Sequence, residues 1–208
     1  MLEPIHQTQE KFDEICSWCP MPPKLIGEKV FLTALDPECT DEILRFMTDE
    51  TVATGFGGPL YKAFTHEEEY GLIGTKECNV DSGFNFMMWD IEDQCVIGIC
   101  CLNDVKMIHR TASVGIAIGL HEYRGGGRGT EALNLMLKFA FQELDLFEVC
   151  LGVYEFNDVA IKCYNKCGFK EYGRRRKSRY VHGQRYDEVL MDILKDEWKA
   201  LHNAELGG

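Results

Sequence analysis

Apolar runs over Gly83 to Ile91 and Gln94 to Leu102, and an alternation of apolar with small residues within Thr111 to Leu120, predict three strands. The joins between them, Glu92-Asp93 and Asn103 to Arg110, are short and turn-rich and predict an antiparallel meander. The period then changes. Leu133, Met136, Leu137, Ala140, Phe141 and Leu144 recur at helical spacing, and Phe147, Val149, Leu151 and Val153 alternate as a further strand. Asn157-Asp158 caps a helix through Lys166 that Gly168 closes, and Lys170 to Tyr180 with Tyr186 to Leu194 form a hairpin around His182-Gly183.

Upstream, Val30 to Leu35 reads as the first strand, ended by Asp36-Pro37, and a helix begins near Thr40 or Asp41. The glycines and proline within Thr51 to Tyr61 predict a loop, and Thr65-His66-Glu67-Glu68 predicts a second helix through about Thr75. The acids Glu67 to Glu69 then form its solvated first turn. This order predicts an α/β (α+β) fold, a mixed, mostly antiparallel central sheet of about seven strands with helices on both faces. It lacks the regular alternation of a doubly wound dinucleotide fold. We divide the chain into an N-terminal extension (1–23), one domain (24–200) and a C-terminal tail (201–208).

Composition narrows the class of protein. With 45% hydrophobic residues the chain can bury a full core, and no run reaches the ~18 apolar residues of a membrane span. Residues 1–14 are polar and acidic and do not read as a signal peptide, so a cytoplasmic protein is expected. A net charge of −12 argues against nucleic acid as a partner and suits a cationic substrate. The basic run Arg174 to Arg179 lies in an alternating strand, where its charges are solvated. Ten cysteines scattered through apolar segments read as reduced thiols. Cys16 and Cys19 have CxxC spacing, which by itself is weak support for a metal or redox site.

The candidate chemistry begins at Arg124-Gly125-Gly126-Gly127-Arg128-Gly129-Thr130, between a strand and a helix. Glycines let the backbone approach a ligand, and a helix start offers unpaired amides and a positive dipole end to phosphate. The string lacks the Gly-Lys-Ser/Thr of a Walker loop and the spacing of a dinucleotide fingerprint. Alone it fits any anion, or a structural turn.

The motif Arg124-x-x-Gly127-x-Gly129, followed by a strand and then Asn157-x-x-Ala160-x-x-x-Tyr164-x-x-x-Gly168-Phe169, resembles the GNAT superfamily of acyl-CoA-dependent N-acetyltransferases. Asp36-Pro37, Gly57-Gly58-Pro59, Thr65-x-Glu67-Glu68, Thr130-Glu131-Ala132 and Asp187 to Trp198 extend the similarity. They point to the branch of ribosomal-protein alanine and spermidine acetyltransferases, over about residues 25–200. The resemblance implies acetyl-CoA as co-substrate, with its pyrophosphate on the amides of Gly125 to Thr130 beside Arg124 and Arg128. It also implies a pantetheine arm paired like a strand with Ile116, Ala117 and Ile118, and held by Asn157. Asn157 capping its helix, and the small residues Gly115, Ala117 and Gly119 admitting a packed helix, explain the same positions structurally.

Tyr164 is the catalytic candidate. A phenol (pKa ~10) can donate a proton to a departing thiolate (pKa ~8.5), while amides near Ile116 stabilise the oxyanion. Where the family often carries a glutamate base, this chain has Ser113. Asp90, Glu92 and Glu122 are substitutes, each read as a solvated surface acid. Met87-Met88-Trp89 reads as strand core with Trp89 near the acceptor groove, which Phe56, Tyr61 and Phe64 would line. The expected activity is direct acetyl transfer, without metal or acyl-enzyme, to a primary amine: a protein N-terminus, a polyamine or another small amine. A monomer or homodimer with no membrane partner is expected. A noncatalytic acyl-CoA-binding or protein-interaction module is the alternative.

Overall fold

A computed structural model describes residues 9–35, 40–56 and 83–205. Its strands are β1 (Pro23–Ile26), β2 (Val30–Ala34), β3 (Phe84–Asp90), β4 (Cys95–Lys106), β5 (Thr111–Ile118), β6 (Glu148–Tyr154), β7 (Lys170–Val181) and β8 (Gln184–Leu194). The helices are α1 (Gln9–Cys16), α2 (Thr40–Thr48), α3 (Glu50–Phe56), α4 (Arg128–Lys138), α5 (Asp158–Lys166) and α6 (Lys195–Glu205). One sheet contains all eight strands in the order β1-β2-β3-β4-β5-β6-β8-β7.

Three features differ from the sequence-based expectation, one of them α6, which follows the closing hairpin where no further element was expected. The sheet has eight strands rather than about seven, because Pro23 to Ile26 pairs with β2 through the Gly27 to Lys29 turn. A four-residue segment opening on proline carries no periodic signal, and an edge position is where a sheet tolerates that residue. Residues 50–56, expected as loop, form α3. Asp49 caps it: Oδ1 accepts from the amides of Thr51 (2.9 Å) and Val52 (3.1 Å), which outweighs the glycine at 55. The expected helix at 65–75, with Glu67 to Glu69, falls outside the described residues.

The sheet is coated on both faces. Alternate side chains of β2 to β6 and β8, among them Leu32, Met88, Cys100, Val114, Val149 and Met191, pack under Leu133, Met136 and Leu137 of α4 and Trp198 of α6. The opposite face of β1 to β4 offers Ile26, Phe31, Met87, Trp89 and Val96 to Ile15 of α1 and to Ile43 and Phe46 of α2. Gly119 allows α2 this approach, since a Cβ there would lie 2.0 Å from Phe46 Cγ. Trp89 is core: its ring stacks on Phe31 at 5.9 Å and its indole N–H donates to Thr33 Oγ1 at 3.0 Å, so it does not line a groove. Among the described residues no helix is long and apolar enough to cross a membrane.

What positions the site is a split in the sheet. Every neighbouring pair is antiparallel except β5 and β6, which run parallel for three rungs, Thr111 with Glu148, Ala112 with Val149 and Ser113 with Cys150. Beyond Ser113 they part. β5 stays paired with β4 as far as Ile118, and β6 with β8 as far as Tyr154. Residues 114–118 therefore turn one backbone edge to a wedge between the halves of the sheet.

Candidate acyl-cofactor site

The wedge opens toward the glycine loop. Gly125 (φ +84°) and Gly127 (φ +88°) adopt left-handed backbone that side chains disfavour, and a Cβ at Gly125 would meet nothing within 4 Å. Gly127 is the N-cap of α4, and no side chain caps the helix. The amides of Arg128, Gly129 and Thr130 therefore face outward at the positive end of an 11-residue helix. This is an anion cradle by construction.

The two arginines beside it are already engaged. Arg124 donates from Nε to Ile118 O (3.1 Å) and from Nη2 to Gly119 O (3.3 Å), stapling the end of β5. Its Nη1 also meets His121 Nδ1 at 3.0 Å. His121 Nε2 contacts Thr51 Oγ1 (3.3 Å), and that hydroxyl donates to Asp49, so a polar chain joins the loop to the cap of α3. Arg128 turns inward to a short ion pair with Asp90 and lies over the Tyr123 ring, 5.1 Å from its centroid. Asp90 is thus no surface acid. It is 0% exposed, with its second oxygen accepting from Asp93 N at 2.9 Å, and it is unavailable as a base.

Two residues at this cradle escaped the sequence reading. Lys29, in the β1–β2 turn, donates from Nζ to Gly126 O at 2.8 Å, which brings a mobile ammonium to the loop. Glu131 of α4 accepts from the amides of Glu28, Lys29 (2.9 Å) and Val30 (3.2 Å), fixing that turn against the helix. The contacts bridge about a hundred residues of sequence, so spacing gave no sign of them.

At the wedge, Ile116 and Ile118 turn their side chains into the α4 core, and Ile118 Cδ1 lies 3.4 Å from where a Cβ on Gly129 would sit. Ala117 faces the other way. Across the gap, Asn157 caps α5, its Oδ1 accepting from Ala160 N at 3.2 Å. Its Nδ2 faces Gly55 of α3, where a Cβ would come within 3.1 Å of it. Cap and free amide are separable functions of one side chain. Asn157→Asp is expected to keep thermal stability and weaken acetyl-CoA binding severalfold, whereas Asn157→Ala also loses about 1 kcal/mol of capping. Unfolding curves and calorimetric titration of both variants check this.

Tyr164 projects from α5 and is 7% exposed, its ring edge-on to Phe169 at 5.9 Å. Among the described residues no group hydrogen-bonds its phenol. Burial pushes its pKa well above the ordinary ~10, and the neighbouring thiols Cys163, Cys101 and Cys167 add to the shift. Cys101 belongs to β4, directly opposite Gly115 of β5. The phenol is therefore protonated, without a hydrogen-bond partner among the described residues, and within the field of Cys101 on the strand that pairs with β5.

The remaining acids lie apart. Ser113 occupies the last paired rung, between Asn103 and Cys150, and Glu92 and Glu122 are exposed in turns. Arg174 and Arg175 of the basic run pair with Glu171 (2.7 Å) and Glu188 (2.9 Å). Cys16 is exposed, while Cys19 is buried in the second core. Tyr61 and Phe64 lie outside the described residues, as does the Phe56 side chain.

A glycine cradle, a one-sided strand edge and a lone phenol match what an acyl-CoA enzyme needs, and comparison with known proteins agrees. Residues 29–170 match the acetyltransferase (GNAT) domain family. The chain belongs to this GNAT acetyltransferase family. It is 31% identical over 107 residues to YdaF of Bacillus subtilis (strain 168), described as a candidate ribosomal N-acetyltransferase. It is also 31% identical over 105 residues to the spermidine N(1)-acetyltransferase of Escherichia coli (strain K12). These alignments cover 51% and 50% of the chain, and span a little over half of the relatives' own length, 58% and 56%. The structure of a Vibrio cholerae spermidine N-acetyltransferase in complex with CoA and spermine superposes with a TM-score of 0.74 at 25% identity, over 83% of this chain and 99% of that one.

Proposed function

We propose that this protein transfers an acetyl group from acetyl-CoA to a primary amine by direct attack, with a polyamine or another small amine as acceptor. The observation that carries the reading is the wedge, where an unpaired β5 edge runs from the phosphate cradle toward an unpartnered phenol. The amides of 128–130 and Lys29 would hold the pyrophosphate, the residue 116–118 edge would pair with the pantetheine amides, and Asn157 Nδ2 would bond them from the far side. Acetyl-CoA supplies the electrophilic acyl carbon and a thiolate leaving group.

The chain's own groups complete the reaction. Backbone amides of β5 near Ile116 stabilise charge developing on the acyl oxygen. Tyr164 donates its proton to the sulfur as the carbon–sulfur bond breaks, and its raised pKa keeps that proton in place until then. The attacking amine must be neutral, and with Asp90 sealed under Arg128 its proton leaves to solvent. The sign of the pH dependence follows. Both kcat/KM limbs assigned here, amine deprotonation and phenol protonation, predict a rate that rises with pH and does not turn down below ~10. A profile falling between pH 7 and 9 contradicts this assignment.

Polyamines carry several positive charges, and a chain of net charge −12 attracts them. The relatives acting on spermidine support the same acceptor class. Spermidine is thus expected to show a lower KM than a monoamine of similar basicity, a margin that shrinks as salt is added. The ribosomal relative motivates a peptide beginning with alanine as the competing acceptor in the same assay.

The cradle is testable apart from chemistry. Gly127→Val places a branched side chain at φ +88°, costing about 1–3 kcal/mol of strain and shielding the amides of 128–130. Acetyl-CoA affinity, read by calorimetry, is expected to fall about tenfold or more; unchanged affinity would move the pyrophosphate elsewhere.

A further inference from the structure

Two thiols that the proposed acetyl transfer does not use flank the cradle. Cys163 and Cys167 lie four apart on α5, one helical turn, and both face the first turn of α4. Cys163 Sγ is 3.4 Å from Thr130 Oγ1 and 4.0 Å from where a Cβ on Gly129 would sit. Cys167 is buried and turns its S–H toward Thr130 O (3.7 Å). Cys163 itself is only part-buried, so a small molecule can reach it.

We propose that Cys163 is a site of reversible modification by small-molecule disulfides, glutathione disulfide being the simplest, and that the adduct excludes acetyl-CoA. The inference rests on the reading of 125–130 as the pyrophosphate cradle. The step is thiol–disulfide exchange. The Cys163 thiolate attacks one sulfur of R–S–S–R, a Cys163–S–S–R bond forms as the original S–S bond breaks, and the departing thiolate takes a proton from water. A free thiol reverses it. An adduct on a sulfur about 4 Å from the Gly129 position covers the outward amides of 128–130, and a negatively charged one such as glutathione also repels phosphate.

Among the described thiols the surroundings favour this sulfur. The neighbouring Cys167 thiol, aided by the Thr130 hydroxyl and the Lys166 charge, holds the Cys163 thiol below its ordinary range against the opposing effect of its burial. Burial pushes Cys100, Cys101 and Cys150 up. Cys16 is exposed but has no such neighbours. Near pH 6 a lowered thiol is more ionised than an ordinary cysteine, and its lower intrinsic nucleophilicity gives back only part of that gain, leaving an advantage of up to about tenfold.

The full-length reduced protein is incubated with glutathione disulfide at about pH 6, with and without desulfo-CoA, and peptide mapping follows the thiols. Cys163 is expected to react about tenfold faster than Cys16, to be protected by desulfo-CoA, and to slow severalfold in Cys167→Ala. The singly modified protein is expected to lose at least about tenfold in desulfo-CoA affinity and to recover with dithiothreitol. Cys163→Ser keeps affinity and turnover and becomes insensitive to the disulfide. If Cys163 reacts no faster than Cys16, the modification site is overturned while the cradle reading stands. If Cys163 reacts first but the modified protein binds desulfo-CoA as before, the exclusion is overturned and the pyrophosphate does not lie on the first turn of α4.

Discussion

Replacing Tyr164 with phenylalanine is expected to lower kcat by about 10²- to 10⁴-fold while leaving the KM for acetyl-CoA within about twofold. The substitution removes one hydroxyl from a side chain that is 7% exposed and packed against Phe169, so the ring contact survives. No described residue hydrogen-bonds that hydroxyl, so no structural bond is lost with it, and stability should change by no more than about 1 kcal/mol. Without the proton donor, the thiolate departs with its charge uncompensated. Acetyl donors built on a more acidic thiol than coenzyme A should recover part of the loss, because a better leaving group needs the proton less. Steady-state kinetics with both thioesters measure this. Equal rates in wild type and variant would reduce Tyr164 to an aromatic wedge.

Asp90→Asn is expected to be the most damaging single change away from the wedge. Asp90 is fully buried, and its partner Arg128 is 18% exposed at the first position of α4. Breaking a buried pair by removing one charge typically costs about 3–5 kcal/mol. Because Arg128 retains a path to solvent, the lower end applies, a Tm loss of roughly 6–12 °C for a chain of this size. The cradle should loosen too, since Arg128 anchors the helix start that presents the amides, and acetyl-CoA affinity should fall alongside stability. The double variant Asp90→Leu with Arg128→Met should regain part of the stability and none of the affinity, if Arg128 fixes the loop rather than touching phosphate. Thermal unfolding and calorimetry of the three variants separate the two roles.

The periodic segments were legible because their signal is local. β3 to β8, α4 and α5 are long enough for one face to repeat, and the cap at Asn157 and the glycine at 168 mark α5 directly. β1 was not, since four residues from Pro23 repeat nothing and gain their strand identity only from β2. α3 was hidden because Gly55 argues for loop, while the bonds from Asp49 that favour helix involve backbone the pattern does not reveal.

The candidate site divides the same way. Gly125, Gly127 and the Asn157–Tyr164 spacing are written in the sequence because left-handed backbone, caps and helical faces have residue signatures. The partners of those residues are not. Arg128, expected beside phosphate, and Asp90, expected as a solvated acid, meet in an ion pair across 38 residues of sequence. Lys29 and Glu131 likewise meet only because β1 and β2 fold beside α4. Charged side chains advertise their charge in a sequence but not the neighbour that consumes it.

The most direct test of the account follows both products at once. Wild-type protein is mixed with acetyl-CoA and spermidine, or a peptide beginning with alanine, and free CoA and the N-acetylated amine are quantified by mass spectrometry. The account predicts one acetylated amine for each CoA released, a polyamine preferred over the peptide, and a rate that collapses in Tyr164→Phe with cofactor binding intact. CoA-binding protein that acetylates no primary amine would contradict it and leave a noncatalytic acyl-CoA module.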